Sequence, residues 1–292
     1  MSGPNAGSVA DTSRLIRVYF DNSHWNNLFR HSSRDDILRS FARSRQAVFP
    51  SVINAAELLN TSDAETRRQL CAAAVRLLDA RHTVLDHPDF LLAATADAFR
   101  RRQESVIVRE GPGARALRSW IERPDGFGPK EREIVRDWTD ELDLQVANCR
   151  EALDLDIGDT GFVGDARALI SDARFAAQLF EEVPPVREAA RSAAETFDLI
   201  RGCSAWAAFA GSIAYEFSNQ PPAPHRATRP RLPEGSDMAQ IIYLGFVNVF
   251  VTDDRRFRRA VEWVSGMLPR GVQVDVLSSS EYFTRLGGAP GS

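Results

Sequence analysis

The sequence has almost no lysine: of its 36 basic residues only Lys130 is a lysine, and the others are arginines. Cysteines are also scarce, and Cys71, Cys149 and Cys203 lie far apart without a CxxC pair, which argues against a disulfide framework or a zinc knot. No apolar run approaches the roughly 18 residues of a membrane-spanning helix. The polar start MSGPNAGSVADTS also lacks the pattern of a secretory signal. We therefore expect a cytoplasmic protein without a membrane partner, and a flexible N-terminus over residues 1–13.

The arginines are unevenly distributed in a chain whose net charge is −4. They are dense at 30–45, 226–231 and 255–259. Guanidinium groups pair with phosphates through a planar fork, so basic patches beside an acidic pocket suit a nucleic-acid backbone. A bias in genome composition explains the arginine excess as well. The net charge alone therefore does not exclude a nucleic-acid partner.

Strand and helix patterns alternate at both ends of the chain. Apolar, β-branched runs predict strands at 14–20, 47–50, 83–86, 249–252 and 272–278. Helical spacing predicts helices at 22–30, 35–45, from 52 to about 80, 238–248 and 255–268. Such alternation is typical of an α/β fold with a mostly parallel sheet.

The middle of the chain has a different pattern. Residues 89–217 are rich in Ala, Leu and Arg at helical spacing, and the breakers between them predict an all-helical insertion of five or six helices. Residues 14–88 and 218–292 would then form a single α/β domain around it. The insertion can gate a pocket, present a substrate or mediate homo-oligomerisation, and the sequence does not choose among these roles.

Four acidic residues lie at strand-to-helix junctions or in the first turns of helices: Asp21, Glu57, Asp237 and Asp254. Asp21 and Asp254 follow predicted strands, and the carboxyl ends of parallel strands meet at one edge of a sheet. We therefore expect the four carboxylates to share one pocket that binds a hard divalent cation. Each aspartate has an alternative role as a helix N-cap or in an Asx turn. Glu57 is flanked by apolar residues, where a buried unpaired carboxylate is costly.

The segments around these acids resemble the PIN-domain ribonucleases, a family that includes toxins of toxin–antitoxin pairs. The similar segments are VYFDNSHWNNLF, PSVINAAELL, SDMAQIIYLG and VFVTDDRRF. The most specific is the last, with Thr-x-Asp before a phenylalanine. The resemblance covers residues 14–85 and 236–283. It leaves out the helical middle, which is much longer than the helical hairpin usual in that family.

The resemblance implies a PIN-like three-layer α/β/α domain with a metal-dependent endoribonuclease site. It implies Mg²⁺ or Mn²⁺ bound by Asp21, Glu57, Asp237 and Asp254, supported by hydrogen bonds from Asn22, Ser23 and Thr252. Asp253 occupies the variable position of its motif, either as an auxiliary metal ligand or as an exposed residue. RNA, single-stranded or structured, is the expected partner, and the presence of an inhibitor protein stays open.

A pocket of four acids has to be neutralised. Ionised carboxylates about 5 Å apart repel each other by about 3 kcal/mol per pair at an effective dielectric of about 20. One or two divalent ions, or protonation of some carboxylates, would relieve this repulsion. The sequence does not identify the general base. His24, close to Asp21, either contacts the substrate, or lies at the surface or behind the proposed metal ligands. Two other functions stay open: a non-catalytic PIN-like scaffold and a structure-specific DNA nuclease.

Overall fold

A computed structural model describes residues 15–31, 34–79, 83–103, 111–138, 140, 166–218 and 235–287 of the chain. The predicted flexible segment 1–13, Cys149, the arginine stretch 226–231 and part of the helical middle lie outside the described residues. Among the helices of the described part, none is long and apolar enough to cross a membrane.

A four-stranded parallel sheet lies at the centre of the described structure. Its strands are β1 (Ile16–Phe20), β2 (Gln46–Val48), β3 (Val249–Val251) and β4 (Asp275–Leu277), in the order β2-β1-β3-β4. Val18 of β1 is aligned with Val48 on one side and with Val249 on the other. The two central strands therefore come from opposite ends of the chain. The predicted α/β class with a parallel sheet is confirmed.

Helices follow the strands and fill the middle of the chain. The N-terminal part contains α1 (Asn22–Arg30), α2 (Arg34–Arg43), α3 (Val52–Asn60) and α4 (Ala64–Val75). The C-terminal part contains α13 (Gly235–Gln240), a 3₁₀ helix (Ile241–Phe246), α14 (Arg255–Ser265) and α15 (Ser279–Gly287).

The middle region is helical, as predicted. Its described residues form α5 (Pro88–Arg100), α6 (Pro112–Glu122), a 3₁₀ turn (Pro124–Gly126), α7 (129–138), α8 (Ala166–Ile170), α9 (Ala173–Glu182), α10 (Pro184–Ala189), α11 (Ala193–Gly202) and α12 (Ser204–Ser218). The break at Val183 falls at a predicted breaker. The eight helices exceed the predicted five or six, because further short breaks at Asp172, Ser192 and Cys203 separate helices that the sequence pattern joins.

Three predicted elements differ from the structure. The long helix from 52 to about 80 is two helices, because Asp63 caps a new start at α4 by accepting a hydrogen bond from Thr66 N at 2.7 Å. Residues 83–86 contribute only an isolated bridge between Leu85 and Ser51 instead of a strand. The helix predicted at 238–248 is α13 followed by the tighter 3₁₀ helix.

The helical middle packs directly against the sheet region. Helix α12 lies against the 3₁₀ helix and α14, and α6 lies against α3 and α4. The buried apolar residues of the described part form one continuous cluster that includes β1, β3 and α12. Tyr19 stacks on Phe250 and Tyr243 at its centre, with ring centroids 4.8 and 5.2 Å apart. The helices therefore share the hydrophobic core that supports the carboxyl ends of the strands.

Candidate active site

The first predicted site residue, Asp21, lies directly after β1 and contacts the end of β3. Its backbone N donates to Val251 O at 3.0 Å, and its Oδ2 accepts a hydrogen bond from Thr252 Oγ1 at 2.5 Å. Asp21 is 4% exposed and Thr252 is fully buried. The two ends of the chain therefore meet through these side chains, as the sequence predicts.

The carboxylate of Asp21 also caps α1. Its Oδ1 accepts from His24 N at 2.9 Å and from Ser23 Oγ at 2.8 Å. Burial nevertheless raises the pKa of Asp21 above its ordinary value, and the nearby charge of Asp253 adds to this increase, although the hydrogen bonds oppose it. The N-cap alternative is thus observed. The hydrogen bonds thus compensate only part of the cost of burying the charged carboxylate, and a nearby cation would favour its ionised form.

Asp254 caps α14 in the same way. Its Oδ1 accepts from Arg256 N at 2.7 Å and from Phe257 N at 2.9 Å, while the residue is exposed. Its own N–H donates to Thr252 Oγ1 at 3.2 Å, so the hydroxyl that donates to Asp21 also accepts from Asp254. Capping therefore uses Oδ1 of the Asp254 carboxylate.

Glu57 and Asp237 lie on other elements near this edge. Every residue of α3 is buried except Glu57 and Asn60, so Glu57 projects to the solvent. The Glu57 carboxylate is therefore not buried, and burial alone does not require a cation beside it. Asp237 is half-buried in the first turn of α13. Glu57 and Asp21 both act electrostatically on the hydroxyl of Tyr19, so both charges lie in its neighbourhood.

The acids do not form a closed metal cluster with their side chains in these positions. In the described ranges, no three side chains of His, Cys, Asp or Glu lie close enough together to hold a metal ion. Asp21 and the Thr252-to-Asp254 turn are brought together, whereas Glu57 lies on α3 and Asp237 on α13. A cation would require these exposed or half-buried side chains to rotate inward.

Asp253 has a role that the sequence analysis does not predict. Its Oδ1 accepts from Ser279 N at 2.8 Å, and its Oδ2 accepts from Ser279 Oγ and Asn27 Nδ2. Burial raises the pKa of Asp253, but these donors outweigh burial and hold the pKa below its ordinary value. Asp253 is thus not a merely exposed residue, and both of its carboxylate oxygens accept hydrogen bonds from protein groups. Its carboxylate anchors the start of α15.

His24 belongs to the same arrangement. Its Nδ1 lies 2.6 Å from Ser279 Oγ, and since that hydroxyl donates to Asp253, Nδ1 is the protonated ring nitrogen. The ring is fully buried, and its Nε2 has no hydrogen-bond partner in the described structure. Burial lowers the pKa of His24 to about 3. A fully buried ring beside Phe20 fits a position behind the proposed ligands, and neither a surface position nor contact with a substrate.

The supporting residues divide into two groups. Ser23 and Thr252 both donate to Asp21, as the resemblance implies. Asn22 begins α1, but its side chain lies outside the described residues. Ser279 and the buried Tyr19 were missed. Ser279 is distant in sequence from its partners, and an aromatic residue inside an apolar strand is most simply interpreted as core.

Comparisons of this chain with protein-family models, with curated proteins and with solved structures give no match.

Proposed function

We propose that this protein is a metal-dependent nuclease of the PIN type that hydrolyses RNA phosphodiester bonds. The observation that supports the proposal is the junction of Asp21 and the Thr252-to-Asp254 turn at the adjacent carboxyl ends of β1 and β3. Ligand sites of open parallel sheets lie at this edge. The three-layer PIN-like arrangement, the toxin-like role with an inhibitor protein and the cytoplasmic location belong to the same proposal.

The donor set fits Mg²⁺ or Mn²⁺. Asp21, Glu57, Asp237 and Asp254 offer only carboxylate oxygens, the ligands that hard divalent cations prefer. Burial raises the pKa of Asp21, so a cation beside it would stabilise the ionised form. When bound, such an ion would supply Lewis-acid polarisation of the phosphate and activation of water.

The protein's own residues would prepare this site in three ways. Thr252 and Ser23 hold the carboxylate of Asp21 in one orientation through their hydroxyl groups. The cap of α14 holds Asp254 beside the same Thr252. The side chains of the solvent-facing Glu57 and the half-buried Asp237 would turn toward the ion when it binds.

The surface next to Asp254 suits a phosphate backbone. Arg255, Arg256 and Arg259 are exposed on α14, immediately after the cap. Arg258 is instead engaged by Glu262 at 2.7 Å and Glu281 at 2.9 Å. Exposed guanidinium groups can contact phosphate oxygens while the acidic edge holds the cation. RNA is preferred over DNA only through the resemblance.

One observation favours a second function, a non-catalytic PIN-like scaffold that binds RNA or a protein through its helical middle. Within the described part of the chain, no three of these acids lie close enough together to hold a metal ion. In that case Asp21 and Asp254 would serve only as helix caps. The two functions differ in whether the protein cleaves RNA when a divalent metal is present.

A cleavage assay separates these functions. Purified protein is incubated with single-stranded RNA, single-stranded DNA and a flapped duplex, each with Mn²⁺, with Mg²⁺ or with EDTA. We expect metal-dependent cleavage of RNA, which Asp21→Asn and Asp254→Asn abolish. Asp63→Asn is the matched control, because Asp63 is also an aspartate N-cap but lies at the start of α4. Cleavage of the flapped duplex alone would indicate the DNA nuclease, and no cleavage would favour the scaffold.

A further inference from the structure

A buried hydroxyl group lies where the acid-bearing elements meet. Tyr19 is fully buried, and its OH donates to Gln240 Oε1 at 2.9 Å. The same oxygen lies 2.9 Å from Ser51 Oγ. Ser51 Oγ also donates to Asn54 Oδ1 at 3.3 Å, and either oxygen can be the donor between Tyr19 and Ser51. Ser51 is fully buried and Gln240 is 1% exposed, so the Tyr19 hydroxyl links two other buried polar side chains.

Each of these three residues belongs to an element that contains, or is directly followed by, one of the proposed acids. Tyr19 precedes Asp21 by two residues at the end of β1. Ser51 is the N-cap of α3, the helix of Glu57. Gln240 ends α13 and lies about one helical turn after Asp237. One oxygen atom thus links β1, α3 and α13.

The ring that carries this hydroxyl is held firmly in the core. Burial is the main cause that raises the pKa of Tyr19. The ring itself is fixed by stacking on Tyr243 and Phe250. The hydroxyl therefore sits in a rigid position beneath the acidic edge.

We propose that Tyr19 is a positioning residue of the nuclease site, whose hydroxyl holds the elements of Asp21, Glu57 and Asp237 in register. This inference depends on the proposed function. Tyr19 does not reach the substrate or the ion, because it is fully buried. Its contribution is to limit the relative movement of three backbones, and small misplacements of catalytic groups are costly to the rate.

The test is Tyr19→Phe, which removes the oxygen and keeps the stacked ring. We expect kcat to fall by about 10- to 100-fold, Mn²⁺ affinity to fall as well, and KM for RNA to change much less. Gln240→Met removes the acceptor from the other side and should give the same pattern. If one variant folds poorly, the other still tests the proposal.

The matched control is Tyr282→Phe. Tyr282 is 2% exposed and donates to Gln46 Oε1 at 2.7 Å, so the control also breaks a tyrosine–glutamine hydrogen bond, which is partly buried. That bond joins α15 to β2 and does not involve an element of the proposed acids. We expect the melting temperature of Tyr282→Phe to fall as that of Tyr19→Phe does, while its kcat and Mn²⁺ affinity stay at the wild-type values.

The outcomes separate the two proposals. If the wild type cleaves RNA but Tyr19→Phe and Tyr282→Phe have equal kcat and Mn²⁺ affinity, the positioning role is overturned and the proposed function stands. If the wild type neither binds Mn²⁺ nor cleaves, the proposed function fails and the positioning role fails with it. A selective loss of kcat and Mn²⁺ affinity in Tyr19→Phe and Gln240→Met supports both.

Discussion

The hydroxyl of Thr252 donates a hydrogen bond to the carboxylate of Asp21, a residue 231 positions earlier in the chain. The same hydroxyl accepts the backbone N–H of Asp254. This contact joins the two ends of the chain at the edge of the sheet where the proposed site lies. It also makes Thr252 the simplest place to test the local geometry.

Thr252→Val keeps the shape of the side chain and removes the hydroxyl. Because Asp21 is buried, the loss of this donor should lower the free energy of unfolding by about 1–3 kcal/mol and raise the pKa of Asp21 further. Thr252→Ser, which restores the hydroxyl, should recover most of the stability. Urea denaturation of the metal-free proteins measures the difference. Equal stability of the Val and Ser variants would contradict the role of this hydrogen bond.

Asp21→Asn should separate stability from activity. A carboxyl whose folded pKa is raised stabilises the fold below the pKa of the unfolded state and loses this contribution as the pH rises through the folded pKa. At pH 7 the neutral amide avoids that loss, and it can still cap α1. We expect unchanged or slightly higher stability without metal, together with no cleavage. Circular dichroism melts in EDTA measure this, and a variant that fails to fold would identify Asp21 as a purely structural cap.

The buried His24 predicts a pH dependence of stability. Burial lowers the pKa of His24 to about 3, so between the ordinary histidine pKa and this value the unfolded state binds one more proton than the folded state. The stability from His24 is therefore present above the unfolded pKa and is lost as the pH falls, by about 1.4 kcal/mol per pH unit.

The comparison for this prediction is His24→Asn, which keeps an N–H donor for Ser279 but does not titrate. Urea denaturation of both metal-free proteins from pH 6.5 to pH 4.5 should show a steeper loss in the wild type. Other groups, including Asp21, titrate in both proteins, so the difference between the slopes reports His24. Parallel slopes would show that the ring becomes protonated in the folded state.

Gly245 tests the contact between the helical middle and the sheet region. A β-carbon at this position would lie 2.5 Å from Ala205 N, which is backbone of α12 and cannot rotate away. Gly245→Ala should therefore separate the 3₁₀ helix from α12 and lower the free energy of unfolding by about 1–3 kcal/mol. Gly126→Ala is the control, because nothing lies within 4 Å of its added carbon. Thermal melts that fall equally for both variants would contradict this packing.

The parts of the fold that were predicted depend on local signals. The β-branched run before Asp21 and the VFV run before Thr252 predict strands ending at one edge, and β1 and β3 do so. Sequence patterns do not distinguish a 3₁₀ helix from an α-helix, so the change at Ile241 was missed. The strand expected around Leu85 reduces to one bridge, because regular pairing depends on a neighbouring strand rather than on composition.

The site was predictable only where a residue follows a strand. Asp21 and Thr252 meet because each ends a central strand. The exposure of Glu57 depends on which side of α3 the other helices cover, and residue spacing within α3 does not determine that. The role of Asp253 depends on Ser279, which the fold alone brings near. Tertiary packing thus decides which acids remain accessible to an ion.

The central claim is that Asp21 and Asp254 bind one divalent ion, and a direct titration of Mn²⁺ tests it. Protein stripped with EDTA and dialysed is titrated with Mn²⁺, and free ion is followed by electron paramagnetic resonance. We expect saturable binding by the wild type and by Asp63→Asn, with affinity at least about ten-fold weaker in both Asp21→Asn and Asp254→Asn. Binding that is absent from the wild type, or that survives both substitutions unchanged, would contradict the account.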